Sequence, residues 1–242
     1  MKKQILYYAL KYEGNWKKIQ KAILTNEMWN EIVYQGKYTT IVDKDYPEKL
    51  RRLQYAPWIL FYEGDLALAS TQICGIVGSR LCSSFGIDTC IHVVNLLKKR
   101  YTIVSGLAKG IDAIAHKTSL DMHTIAVIGC GLDTIYPKEN AYLYQQIREH
   151  HLLLSEYPNG SKPFAYHFPW RNRIIAALSD ALVVIEAKKR SGTLLSVNEA
   201  LELDIPVYCI PHDFKKVEGM GCNLLLSQGA NILIDDEDIM LI

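Results

Sequence analysis

Near position 170 the chain carries residues of the types and in the order that phosphate binding needs. Arg171, Asn172 and Arg173 follow the turn at Phe168-Pro169 and open an apolar helical segment. A helix N-terminus presents free N–H groups and the positive end of its dipole to an anion, and arginine adds forked donors with a permanent charge. We expect Arg171 to face the ligand and Arg173 to pair with Glu186 or another acid, because the two side chains point in different directions.

An aromatic side chain beside a positive groove can stack on a nucleic-acid base. Phe168 is the first candidate for this role, and Tyr166 or Trp170 is the alternative. Packing in the core is an equally good interpretation of an aromatic residue next to proline.

From about residue 71 onward, short β-branched runs alternate with amphipathic helical patterns. Continuously apolar strands separated by helices are typical of a parallel sheet covered on both faces, which predicts an α/β, doubly wound, Rossmann-like fold. We expect strands over Gln72–Val77, Thr102–Val104, Thr124–Ile128, Leu152–Leu154, Leu182–Ile185, Val207–Ile210 and Ile232–Ile234. We expect helices over Phe85–Lys99, Ile111–Leu120, Ala141–His150, Arg171–Leu178, Leu194–Leu203 and Asn223–Ser227.

The glycine-rich and basic motifs fall at the carboxyl ends of these predicted strands, where ligands gather in such folds. Glycine lets backbone N–H groups approach an anion, serine and threonine donate hydroxyls, and arginine can hold two oxygens. A solvated loop, a helix cap or a solvated lysine is the alternative at each position. The candidate residues at these strand ends are Gly78, Ser79, Arg80, Lys109, Lys138, Ser191, Gly192 and Thr193.

Nucleotide-cofactor and metal chemistry find no support in the sequence. The chain lacks GxGxxG and a GK[ST] loop, so the NAD and ATP interpretations lose their usual basis and no cofactor is predicted. We expect Asp112 to cap a helix and His116 to be packed rather than to bind a metal. None of the six cysteines forms a CxxC pair, and most lie in apolar runs, which favours reduced, buried thiols in a cytoplasmic protein.

The composition is that of an ordinary globular protein: 49% of the 242 residues are hydrophobic and 22% are charged. The formal net charge of +1 means that any nucleic-acid contact has to be a local patch. No apolar run approaches the ~20 residues of a membrane span. A shift in composition near Asp43–Pro47 predicts a short helical domain over residues 1–45 and a Rossmann-like domain over residues 46–242 with an acidic tail.

Several motifs in one order resemble the DprA (Smf) family, the DNA-processing proteins of bacterial natural transformation. They occur over about residues 45–234, at Gly75–Arg80, Val104–Asp112, Thr124–Asp133, Tyr136–Asn140, Leu154–Pro158, Phe168–Ser179 and Ser191–Leu194. The resemblance implies binding of single-stranded DNA in competence and recombination, loading of the RecA recombinase, and no catalytic residue.

The same resemblance implies a homodimer through the C-terminal part of the fold, with Leu224, Leu225 and Ile232 as candidate contacts. It also implies that residues 1–45 are a truncated sterile-alpha-motif-like domain. One departure is that Pro211 is followed by His212-Asp213 where the family usually has Pro-Gly.

An enzyme is the alternative. Gly192-Thr193 followed by Glu199, with Arg171 upstream, distantly resembles nucleoside-monophosphate phosphoribohydrolases of the LOG type, in which an arginine and a glutamate act on the N-glycosidic bond. The Pro-Gly-Gly loop that precedes Gly-Thr in those enzymes is replaced here by Lys188–Ser191.

Overall fold

A single nine-stranded sheet organises the computed structural model, which describes residues 1–242. The strand order is β1-β2-β6-β5-β4-β3-β7-β8-β9; β1 and β2 run antiparallel at one edge, and the seven strands from β6 to β9 are parallel. The predicted doubly wound α/β fold is therefore confirmed. The strands are β1 Lys37–Thr40, β2 Ile59–Gly64, β3 Ile73–Val77, β4 Thr102–Ser105, β5 Thr124–Ile128, β6 Leu152–Ser155, β7 Ala181–Val184, β8 Val207–Cys209 and β9 Asn231–Ile232.

Helices cover both faces of the sheet. Side chains alternate along each strand, so Ile125 and Val127 enter the core on one face while Ala126 and Ile128 enter it on the other. No helix combines the length and apolar character needed to cross a lipid bilayer. The helices are α1 Lys2–Lys11, α2 Trp16–Leu24, α3 Ser84–Leu97, α4 Ile111–Ser119, α5 Ala141–His150, α6 His167–Leu178, α7 Thr193–Leu201, α8 Met220–Ser227 and α9 Asp236–Met240.

The N-terminal region differs from the sequence-based expectation. Residues 37–40 form β1 rather than helix, and β1 pairs with β2 in the same sheet as the rest of the chain. On α1, Ile5 lies in one hydrophobic cluster with Phe61 of β2, and the indole N–H of Trp16 donates to the carbonyl of Ala56 at 2.7 Å. Packing is thus continuous across the predicted boundary at residue 45, because α1 and α2 cover one face of the main sheet.

The strand order reverses at β3. From β3 the chain proceeds outward through β4, β5 and β6, and it then returns to the other side of β3 to form β7 and β8. Loops that leave β3 and β7 at their carboxyl ends therefore diverge and leave a crevice between them. This crevice receives the loop after β3, the start of α6 and the loop before α7.

Candidate functional site

A cleft of about 560 Å³ occupies the crevice at the carboxyl ends of β3 and β7. Residues 78–81 form one wall, residues 190–196 form another, and the first turns of α6 complete it. The structure thus gathers chain segments that lie far apart in the sequence. Of the predicted site residues, the cleft is lined by Gly78, Ser79, Arg80, Phe168, Arg171, Asn172, Ser191, Gly192 and Thr193.

Backbone hydrogen bonds hold the loop after β3 in place. The Ser79 N–H donates to the carbonyl of Glu186 at 2.7 Å, and the Ser79 carbonyl accepts from the Ile111 N–H at 3.1 Å. Gly110 has a φ of +74° where it closes on this loop, and a Cβ there would lie only 2.8 Å from the carbonyl carbon of Arg80. The backbone is therefore anchored while the Arg80 side chain stays exposed in the cleft.

The entrance of α7 faces the cleft with free backbone donors. The N–H groups of Arg190, Ser191 and Gly192 donate to no acceptor within the chain, whereas the Thr193 N–H donates to Ser191 Oγ at 3.1 Å. The Thr193 hydroxyl donates to the carbonyl of Gly78 at 3.1 Å and so joins the two walls of the cleft. Free N–H groups of successive residues in a turn that leads into a helix suit an anion such as phosphate.

Cationic side chains reinforce this preference for anions. Lys188 and Arg190 are exposed and line the cleft, opposite Arg80. These two residues are not among the predicted site residues, although they belong to the basic run Lys188–Arg190 that precedes α7. The signal was present, but a charged run on a surface is usually only solvated, and only the folded loop shows which of its members turn toward the cleft.

Phe168 is partly exposed at the cleft and lies beside a cation. The Arg80 guanidinium carbon is 5.7 Å from the centre of the Phe168 ring, and the centre of the Tyr136 ring is 5.4 Å from the same point. The alternatives Tyr166 and Trp170 do not line this cleft. The juxtaposition of a partly exposed ring and a guanidinium is suited to holding a base next to its phosphate.

Arg171 lies at the floor of the cleft and is buried. Its Nη1 donates to the carbonyl of Gly106 at 2.7 Å and also to the carbonyl of Val127, at the ends of β4 and β5. Burial lowers the pKa of the Arg171 guanidinium, and the nearby carboxylate of Asp112 opposes that shift. The side chain therefore ties two strand ends together, and its charge acts on the cleft from below.

Arg173 points away from the cleft and pairs with an acid. Its Nη2 is 2.7 Å from Oε1 of Glu156, and both side chains are only 3% exposed. The other candidate partner, Glu186, instead accepts from the Ser83 N–H at 3.0 Å at the start of α3. The expectation that Arg173 pairs with an acid is met by Glu156.

Lys109 and Lys138 do not line the cleft. Both side chains are exposed, and Lys109 Nζ forms an ion pair with Glu139 Oε1 at 2.5 Å. A contact between either lysine and a ligand in the cleft requires the ligand to extend beyond it.

Of two α4 residues near the cleft, Asp112 differs from the prediction and His116 agrees with it. Gly110, not Asp112, occupies the cap position of α4; Asp112 lies in the first helical turn and accepts from the Ala108 N–H at 3.3 Å. Burial raises the pKa of Asp112, while the charge of Arg171 opposes this effect. His116 is fully buried with its Nδ1 2.7 Å from Thr124 Oγ1, so the expectation of a packed histidine is confirmed.

The residues of the alternative enzyme do not assemble. Glu199 lies on α7 but does not line the cleft, and burial raises the pKa of its carboxyl. Arg171, its proposed partner, is held by backbone carbonyls. No group of three or more His, Cys, Asp or Glu side chains is placed to hold a metal ion, and all six cysteines are free thiols.

The predicted dimer residues have different environments. Leu225 is buried in the chain's own core, which corrects its prediction as a dimer contact, because α8 packs this face against the sheet. Leu224 is partly buried, and Ile232 is 46% exposed on the edge strand β9. His212, the departure after β8, directs its Nε2 to the carbonyl of Ile185 at 2.9 Å.

Comparisons with known proteins identify the family to which this chain is similar. A family model described as DNA recombination-mediator protein A matches residues 37–241, and thus begins at β1. The chain is 43% identical over 203 residues to DNA processing protein DprA of Streptococcus pneumoniae, covering 83% of this chain and 72% of that protein. It is 41% identical over 210 residues to Protein Smf of Synechocystis, covering 84% of this chain and 53% of that protein.

Solved structures agree with these relatives. The X-ray structure of DprA from Streptococcus pneumoniae superposes with a TM-score of 0.84 at 36% identity, covering 99% of this chain and 92% of that one. A structure concerned with the single-stranded DNA binding mode of DprA from Helicobacter pylori superposes with a TM-score of 0.78 at 30% identity, covering 86% of this chain and 95% of that one. The fold, the cleft at its strand ends and these relatives lead to one conclusion: the chain belongs to the DprA (Smf) family of DNA-processing proteins.

Proposed function

We propose that the cleft binds single-stranded DNA. The observation that carries the proposal is the placement of Arg80 5.7 Å from the ring of Phe168, opposite the free N–H groups at the start of α7. One site thus offers a cation and backbone donors for phosphate and a ring for a base. The single-stranded DNA binding mode described for the Helicobacter pylori relative supports the same ligand class.

In the proposed complex, charged groups contact the phosphates and an aromatic ring stacks on a base, and no covalent bond is made or broken. Phosphate contacts are made by Arg80, Lys188, Arg190 and the start of α7, while Arg171 supports them from the floor of the cleft. Because such contacts do not read base edges, we expect little dependence on base sequence. Lys109 and Lys138 contact the strand only where it extends past the rim.

In this proposal the biological role is recombination during natural transformation. The protein, as a homodimer, protects incoming single strands and loads RecA onto them. The motifs that resemble the DprA family imply these roles, and Ile232 on the edge strand β9 is one exposed apolar residue available for self-association. Sedimentation analysis tests the dimer. The rate at which RecA filaments form on a single strand, with and without this protein, tests the loading.

Fluorescence anisotropy with a labelled single strand and the matching duplex, across a salt series, tests the binding proposal. We expect binding that prefers the single strand and weakens with salt, and Arg80→Glu should weaken it about tenfold or more, since a phosphate contact becomes a repulsion. Lys117→Glu makes the same charge change at an exposed position on α4 away from the cleft and should have little effect. Absence of binding, or equal losses in both variants, would contradict the proposal.

A further inference from the structure

A second cleft, of about 670 Å³, lies between the turn that joins α1 to α2 and the segment before α6. Its walls are rich in aromatic side chains and lysines, and Glu13 is the single carboxylate among them. Nothing in the function proposed above uses this cleft. The lining residues that matter here are Lys17, Lys18, Ser161, Lys162, Phe164 and Tyr166.

The lysines of this cleft carry uncompensated charge. Lys17, Lys18 and Lys162 are all exposed, and none of them forms an ion pair within the chain, whereas Lys109 at the rim of the first cleft is paired with Glu139. Three unpaired ammonium groups around one concavity attract a polyanion.

The aromatic side chains of the second cleft are available for stacking. Phe164 is 44% exposed and Tyr166 is 67% exposed, and their rings lie within 6° of parallel with centres 5.6 Å apart. Exposing two neighbouring rings to water is costly for a purely structural segment, but it suits a surface on which bases stack.

One polar group in this cleft lacks a partner inside the chain. Ser161 is more than nine-tenths buried, lines the cleft, and its Oγ makes no hydrogen bond. A buried hydroxyl without a partner is uncommon and is satisfied when a ligand supplies an acceptor or donor. Aromatic rings, unpaired lysines and this hydroxyl together form a site suited to a nucleic-acid strand.

The two clefts share a wall. Pro163, Ala165 and Phe168 line the first cleft, and the interleaved residues Phe164 and Tyr166 line the second. A strand that leaves the first cleft past Phe168 therefore meets the second cleft on the other side of the same short segment. We infer that the second cleft is a continuation of the single-stranded DNA site, in which the N-terminal helices contact nucleotides beyond those held in the first cleft; this inference rests on the proposed function.

Binding of two oligonucleotide lengths tests the inference. A strand of about four nucleotides occupies the first cleft only, whereas one of about twenty reaches both. The double variant Lys17→Glu/Lys162→Glu should weaken binding of the long strand about tenfold and flatten its salt dependence, and leave binding of the short strand within about twofold. Lys21→Glu/Lys117→Glu, a pair of exposed charge reversals outside both clefts, is the matched control.

Stacking gives an independent readout. A 2-aminopurine placed at successive positions of the long strand reports where a base stacks, and Tyr166→Ala should restore its fluorescence at positions outside the first cleft only. The inference would be overturned if Lys17→Glu/Lys162→Glu weakened binding of both strand lengths equally or of neither. Unchanged 2-aminopurine quenching in Tyr166→Ala would also overturn it. Arg80→Glu keeps the two proposals apart, because it should weaken both lengths; wild-type protein that binds neither length refutes the proposed function itself.

Discussion

Nη1 of Arg171 donates to the carbonyl oxygen of Gly106 at 2.7 Å, within the floor of the cleft. The guanidinium also reaches the carbonyl of Val127, so that one side chain on α6 joins the ends of β4 and β5. Gly106 is needed at this point because a Cβ there would collide with the guanidinium. The cleft is therefore built on a buried cation whose hydrogen bonds are structural.

The main effect of replacing Arg171 should be a loss of folding stability rather than a direct loss of ligand contacts. Arg171→Met leaves two buried carbonyls without their donor, and we expect the free energy of unfolding to fall by about 2–3 kcal/mol. Urea denaturation followed by circular dichroism measures the change, and Arg190→Met, exposed at the rim, should leave stability unaltered. An Arg171→Met protein of wild-type stability that no longer binds DNA would show that the guanidinium acts mainly on the ligand.

Phe168 should contribute to affinity through its ring. Stacking is worth about 1–3 kcal/mol per base, so Phe168→Ala should weaken single-strand binding at least about fivefold. Phe168→Tyr keeps the ring and should stay close to the wild-type affinity. Anisotropy titration of both variants at one salt concentration makes the comparison. Wild-type affinity in Phe168→Ala would favour the alternative, in which the ring only packs against Tyr136.

The ion pair between Lys109 and Glu139 should limit what Lys109 contributes. Glu139 neutralises the ammonium, and the pair lowers the pKa of the Glu139 carboxyl. We expect Lys109→Ala to change affinity less than about twofold, and Glu139→Gln to strengthen binding and steepen its salt dependence by releasing a cation. Titrations across a salt series measure both effects; a Lys109→Ala loss as large as that of Arg80→Ala would mean that the pair opens on binding.

The buried pair of Arg173 and Glu156 should dominate the stability of the region around α6. Removing one partner leaves the other charge buried, and Glu156→Ala should lower the free energy of unfolding by about 3–5 kcal/mol. Replacing both by methionine should cost less, because no uncompensated charge remains. Chemical denaturation of the two variants decides the point, and equal losses in both would refute a charge-based explanation.

Stability should depend on pH through His116. Burial, followed by the positive charge of Arg171, lowers the pKa of His116 to about 3, from an ordinary value of 6.5. Below about pH 6.5, His116 binds a proton in the unfolded chain but stays neutral in the folded chain. The free energy of unfolding therefore decreases as the pH falls, by up to about 1.4 kcal/mol per pH unit.

Denaturation curves at pH values from about 7 to about 4 should show this loss, and His116→Gln should make it shallower. His123→Gln alters an exposed histidine and serves as the control. His151 and His167 shift in the same direction, because burial also lowers their pKa values, so some pH dependence should persist in His116→Gln. A His116→Gln profile identical to that of the wild type would contradict the assignment.

Local sequence patterns were sufficient to predict the strands in the parallel part of the sheet. The bounds of β5 and α5 agree with the sequence-based prediction at both ends, because an apolar β-branched run and an amphipathic repeat are unambiguous there. They were not sufficient for β1 and β2. The run Lys37–Thr40 is polar and short, and it becomes a strand through antiparallel pairing at the sheet edge, a contact that no local periodicity reveals.

By itself the sequence determined the order of strands and helices from residue 71 to the last strand, β9, but not the helix α9 that follows it. It also identified segments that meet at the cleft, because glycine, β-branched residues and helix caps act on their immediate neighbours. The tertiary structure decided what each cation does. Arg171 donates a hydrogen bond to the carbonyl of Gly106. Arg173 and Lys109 form ion pairs with Glu156 and Glu139, while Arg80 remains exposed in the cleft. Burial and ion pairing join residues distant along the chain, and the fold alone brings them within hydrogen-bonding distance.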